Sequence, residues 1–222
     1  MECYMKKKIL LLLFIITIFS GCVKSQQYGI DILELDHFDF SLNIEQFFQD
    51  ERIFRGTHDD FSVSVGEHYI DGNSIQMGYI QYSTWRMSSG RPLASFAGVK
   101  FESLGIITDE ADEKVLMAIG STSYTEVKDI EKIMDRLLSE FGHQFNIRDS
   151  FSGINILFKK EDKVVNLYLD IMVQGRVEKY EELKDQIRDR KEISCKLFVT
   201  NPFFDRALDE NQSYSGDLTD YN

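Results

Sequence analysis

The chain has 222 residues, with 25 Lys and Arg against 37 Asp and Glu, for a formal net charge of −12. Two prolines and 28 Phe, Tyr and Trp residues exclude a disordered or fibrous chain, and three cysteines are too few for a disulfide scaffold or an all-cysteine zinc site. The acidity excludes a general nucleic-acid binder, which needs a basic surface to displace counterions.

Chain order begins with an address. Lys6, Lys7 and Lys8 precede an apolar run from Ile9 to Phe19, broken only by Thr17. At 11 residues it is too short to span a bilayer, which takes ~20. A basic start, a short apolar stretch and then small residues is the layout of an export signal, and a plain secretory signal or a retained anchor shares it. The small residues here are Ser20 and Gly21, followed by Cys22. Phe19-Ser20-Gly21-Cys22 resembles the lipobox of bacterial lipoproteins, with Phe19 standing where Leu is usual. The resemblance covers only the leader. It implies cleavage before Cys22, acylation of that cysteine, and a bacterial envelope protein held to a membrane by lipid (the outer membrane if the cell has two). Met1 to Tyr4 stand ahead of the basic run, and Met5 offers a second start.

The expected organisation is therefore a signal peptide over 1–21, a tether over 22–28, one domain over 29–207 and a mobile acidic tail over 208–222. Loss of residues 1–21 removes Glu2 and three lysines, so the remaining chain carries −14. With Cys22 acylated, Cys195 has no cysteine left to pair with. The spacing of Ile193, Cys195, Leu197 and Val199 puts it on the inward face of a strand, as a small buried hydrophobe.

A short strand is expected within 29–35, then a helix over 43–51 with Asn43 and Gln46 as a capping pair. Phe61 to Val65 alternates as a strand. Asp71-Gly72 predicts a tight turn joining a hairpin whose second strand is 75–82. Residues 88–92 read as a loop. One or two strands lie within 96–108, with Gly98 and Gly105 as candidate bulges. An acidic turn over 108–114 leads to a strand at 115–119. The clearest helix follows: Val127, Ile130, Ile133, Met134, Leu137, Leu138 and Phe141 form one stripe, Ser123 and Glu126 suggest a capping box, and Gly142 closes it. A hairpin joins 154–158 to 164–172, a helix runs over 177–190, and a last strand over 192–200 ends at Asn201-Pro202. About eight strands in hairpin-like pairs and about three helices predict an α+β domain: a mainly antiparallel sheet with the helices packed on one face.

No phosphate loop, G-x-S-x-G elbow, H-E-x-x-H or EF-hand loop occurs. Two acidic–histidine clusters remain, Asp36-His37-x-Asp39 and His58-Asp59-Asp60. Brought together, His37, Asp39, His58 and Asp60 could hold a divalent metal that activates water, which is the hydrolase alternative. Spacing alone assigns them no more than two polar turns. His143 follows a helix end, where its positive form suits the dipole. Tyr82, Trp85 and Arg86 are residue types that anchor binding surfaces, and exposed they would suit a protein or glycan contact. Filling the core is their other reading. No nucleophile stands in an informative frame, and no cofactor is implied. The sequence points to a lipid-anchored, non-enzymatic binding module, favouring a basic protein partner by its charge.

Overall fold

A computed structural model describes residues 26–49, 62–71, 76–85, 91–111, 114–150, 152–173, 175–210 and 216–221. Cys22 and the stretch expected to be a signal peptide lie outside them. Eleven strands and four α-helices are present among the described residues. They are β1 (Leu33–Glu34), α1 (Ile44–Phe47), β2 (Ser62–Asp71), β3 (Gln76–Trp85), β4 (Ala94–Phe96), β5 (Val99–Phe101), β6 (Ser103–Asp109) and β7 (Val115–Thr125). After them come α2 (Val127–Phe141), β8 (Asn146–Asp149), β9 (Ile154–Lys159), β10 (Val164–Asp170), α3 (Tyr180–Ile187), β11 (Ile193–Thr200) and α4 (Pro202–Glu210). A 3-10 helix spans Gly216–Asp220.

Eight strands form one sheet in the order β2-β3-β6-β7-β11-β10-β9-β8, every pairing antiparallel. A small mixed sheet, β1-β4-β5, lies apart from it, with β1 parallel to β4. The chain is thus an α+β protein built on a mainly antiparallel sheet, as the hairpin pattern requires. No helix among the described residues is long and apolar enough to cross a membrane.

Alternation sorts the central strands between two cores. Ala118 of β7, Val165, Leu167 and Leu169 of β10, and Cys195, Leu197 and Val199 of β11 face the larger core. There they meet Ile130, Ile133, Met134 and Leu137 of α2, Leu183 and Ile187 of α3, and the aromatic wall of α1 and the small sheet. Met117 and Ile119 of β7 and Phe198 of β11 face the other way, onto Phe204, Ala207 and Leu208 of α4 and onto Leu218 and Tyr221. The three expected helices do share one face of the sheet. A fourth covers the opposite face, where no helix is expected from the sequence.

That fourth helix corrects the expected tail. Pro202 presets the φ of the first helical residue, and Asn201 Oδ1 accepts the Phe203 N–H at 2.9 Å. Phe204, Ala207 and Leu208 then repeat at helical spacing and are fully buried. The helix runs through the expected boundary at 207/208. Leu218 and Tyr221, inside the stretch read as mobile, are buried too.

Smaller differences have local causes. β1 is two residues long because the chain reverses on both sides of it. The β2–β3 hairpin forms, with Asp71 opposite Gln76. Its turn at 72–75 lies outside the described residues, as does most of the expected 88–92 loop. Gly98 occupies a turn at φ 75°. Gly105 pairs in register with Ser83 and Ile119; the bulge falls instead between Ile107 and Thr108. β7 runs on to Thr125, held by Ile193 of β11, so Ser123 stays in the strand and cannot cap α2. Glu126 is the N-cap, without a side-chain cap bond. Gly142 closes α2 as expected, at φ 80°, its N–H donated to Leu138 O. α3 is shorter than the 177–190 expectation.

Candidate functional site

The stretch between β1 and α1 is organised by its polar side chains. Phe38 N–H reaches back to Leu35 O, and Leu42 N–H to Asp39 O at 3.1 Å. The Asp39 carboxylate accepts the Ser41 N–H at 2.8 Å, an Asx turn. Asn43 Oδ1 accepts the Gln46 N–H at 2.8 Å and starts α1. These successive turns send alternate residues to opposite sides. Phe38 goes inward and packs edge-on against Phe40, with ring centroids 5.3 Å apart. His37 and Asp39 go outward.

Asp36 parts company with its neighbours. Its Oδ2 accepts the Ala97 N–H at 2.7 Å and its Oδ1 accepts Arg136 Nε of α2 at 3.2 Å. Lys163 Nζ donates to its backbone carbonyl. Asp36 therefore ties the small sheet to α2 and the β9–β10 hairpin.

The outward residues line an open groove of about 450 Å³. Leu33, Phe38 and Leu42 give it apolar walls, and Glu34, His37, Asp39, Ser41, Asn43, Gln46 and Gln26 surround them. None of these lining residues is Lys or Arg. Asp39 is held below its ordinary carboxylate range, chiefly because the Ser41 N–H and then the Ser41 hydroxyl bond its charged form. A groove with this lining attracts cations and offers their aliphatic stems an apolar surface.

The other sequence candidates fall elsewhere. His58 and Asp60 lie outside the described residues. Among the described residues no group of three or more His, Cys, Asp or Glu is placed to hold a metal ion. Tyr82 is 2% exposed, and its ring lies 5.5 Å from Phe48 in the larger core. It is removed from the proposed contact surface, because its parity on β3 turns it toward α1. Trp85 ends β3 opposite Ser62. Its side chain, and Arg86, lie outside the described residues. Cys195 is buried against Thr125 Oγ1 at 3.2 Å, and burial pushes its thiol up to about 11. That is the chemistry of a packed thiol, not of a nucleophile.

Two further polar features belong to the second face. Tyr221 Oη donates to Asp205 Oδ1 at 2.8 Å, and Lys159 Nζ bridges Asp205 and Asp209 at 2.6 and 2.9 Å. This network fastens the last described residues to α4 and β9. A dimple of about 130 Å³ lined by Ser83, Ser103, Gly105, Ser121 and Lys196 lies nearby. Its one cation is matched by Asp220 at 2.7 Å.

Sequence reasoning found His37 and Asp39 but missed Gln26, Glu34, Ser41, Asn43 and Gln46. In sequence, Asn43 and Gln46 carry only the signal of a capping pair. Every lining residue lies within 26–46, and it is the succession of turns on either side of β1 that gathers them, which no local pattern announces. No family model matches the chain, and comparison with curated proteins and with solved structures finds no match.

Proposed function

We propose that this chain is a bacterial envelope lipoprotein, acylated at Cys22, whose folded domain is a non-enzymatic binding module. The groove beside β1 and α1 takes a basic, amphipathic segment of a partner protein. The observation that carries the reading is the lining itself: Glu34 and Asp39 stand over Leu33, Phe38 and Leu42, with no Lys or Arg among the lining residues. Lysine and arginine stems cover apolar surface while their heads meet carboxylates. The charge of −14 left once residues 1–21 are removed adds long-range attraction for the same partner.

Zero-length carbodiimide cross-linking on native membranes tests this, since it joins carboxylates only to amines already in contact. The expected product is a peptide pair linking Glu34 or Asp39 to a partner lysine, reduced in a Glu34→Gln/Asp39→Asn double variant. Cross-links confined to the charged face of α3, at Glu181 or Asp185, and unaffected by the double variant, would overturn the groove as the docking site.

A further inference from the structure

The turn that leads into the groove carries an apolar tip that the fold does not use. Gln27 O accepts the N–H of Ile30 at 3.2 Å and of Asp31 at 2.9 Å, and the Asp31 carboxylate returns to accept the Gln27 N–H at 3.1 Å. Gly29, at φ 75°, supplies the left-handed residue the reversal needs. Tyr28 donates its N–H to Phe47 O at 2.9 Å, and its ring packs 5.8 Å from Phe47 and 5.2 Å from Phe48. The turn is thus closed on itself and pinned to α1. Ile30 is left 68% exposed, and Ile32, just past the turn, 37%. The other large apolar side chains that are exposed among the described residues, Tyr124, Met172 and Phe203, stand on three separate parts of the chain.

Scattered exposed apolar residues are ordinary. Here two aliphatic residues stand two positions apart, Ile30 in a fixed turn and Ile32 directly after it, and the Asp31 carboxylate between them is folded back onto backbone. The length of chain before the turn gives the exposure a purpose. Five residues lead from Cys22 to Gln27, a reach of at most ~18 Å even when fully extended.

We propose that the Ile30–Ile32 turn is the surface by which the domain rests on the bilayer, a reading that depends on the acylation of Cys22 proposed above. Acyl chains hold the turn at a high effective concentration near the interface, so the modest affinity of two isoleucines suffices. The occupant is a zwitterionic lipid surface, because anionic headgroups repel a chain of this charge. Glu34 follows Ile32 by two residues and lines the groove. Contact at the turn therefore sets the groove near the membrane, within reach of juxtamembrane segments of its partner.

The test uses full-length acylated protein in phosphatidylcholine–phosphatidylethanolamine vesicles, its acylation first verified by intact mass. An environment-sensitive fluorophore is placed at Ile30→Cys and, as the comparison, at Arg206→Cys on α4, across the sheet. Cys195 is buried and does not compete for label. Expected is a blue-shifted emission at position 30, with quenching by aqueous iodide several-fold weaker than at position 206. Equal iodide accessibility at both positions, on protein whose mass shows acyl chains, would overturn bilayer contact and leave the anchor standing. A mass without acyl chains would overturn both.

Discussion

Replacing Tyr221 by Phe isolates one hydroxyl that closes the second face of the sheet. Tyr221 is 1% exposed, and its hydroxyl donates to Asp205, itself 4% exposed. Phe keeps the ring and its edge-on contact with Phe198 at 5.3 Å. What is lost is a hydrogen bond to a charged acceptor, about 1.5–3 kcal/mol. Lys159 still pairs with Asp205 at 2.6 Å, so the carboxylate is not stranded and the lower part of that range applies. The loss also has a pH signature. Burial, then the neighbouring Asp205, raises the Tyr221 hydroxyl well above its ordinary value. In the unfolded chain it titrates near ~10. The contribution of the neutral hydroxyl is therefore complete below pH ~10 and drains away as pH rises further, by about 1.4 kcal/mol at pH 11. Urea unfolding of both chains at pH 7 and pH 11 reads this directly, because every other tyrosine and Cys195 is common to both and cancels. The stability gap should shrink by about that amount between the two conditions. A gap that stays constant with pH, or no gap at pH 7, would refute the account of how the C-terminal residues are held.

Three other outcomes follow from the same geometry. At Gly120 a β-carbon would meet the Phe101 ring at 2.8 and 2.9 Å and Leu35 Cδ1 at 3.0 Å, so Gly120→Ala should destabilise by about 1–3 kcal/mol in urea unfolding. Cys195, its thiol pushed up to about 11, should resist aqueous thiol reagents at pH 8 and react fully once urea unfolds the chain. Reaction in the folded protein would contradict its packing. In the groove, Glu34→Gln and Asp39→Asn should each weaken retention of a synthetic Lys/Leu-alternating peptide by up to about fivefold, as exposed charge pairs do, and more weakly as salt rises. Unchanged retention in calorimetric titration would remove electrostatics from the proposed interface.

The scaffold was largely legible because its strands alternate and its main helix carries an unbroken stripe. Val165, Leu167 and Leu169 declare one face of β10, and Ile130 through Phe141 declare α2. Strand pairing beyond adjacent hairpins was not legible. β7 lies beside β11, and β1 beside β4, through contacts distant in sequence that leave no local mark. Capping was read wrongly at Ser123 because the ladder with Ile193 outcompetes it. The tail was misread because acidic and uncharged polar residues together outnumber its apolar ones. Phe204, Ala207 and Leu208 nonetheless stand at helical spacing after a proline, a signal that composition obscured. At the groove, the outward turn of His37 and Asp39 could be suspected from their polarity. The inward turn of Asp36 could not, since its partners Ala97 and Arg136 lie 61 and 100 residues away.

If this domain works at a membrane, held there by lipid on Cys22, intact-mass spectrometry of the protein extracted in detergent from its native host, beside a Cys22→Ala variant, will show it. The expected result is a chain beginning at Cys22 with the added mass of acyl groups, and loss of both features in the variant. An unacylated chain beginning at another residue would contradict it.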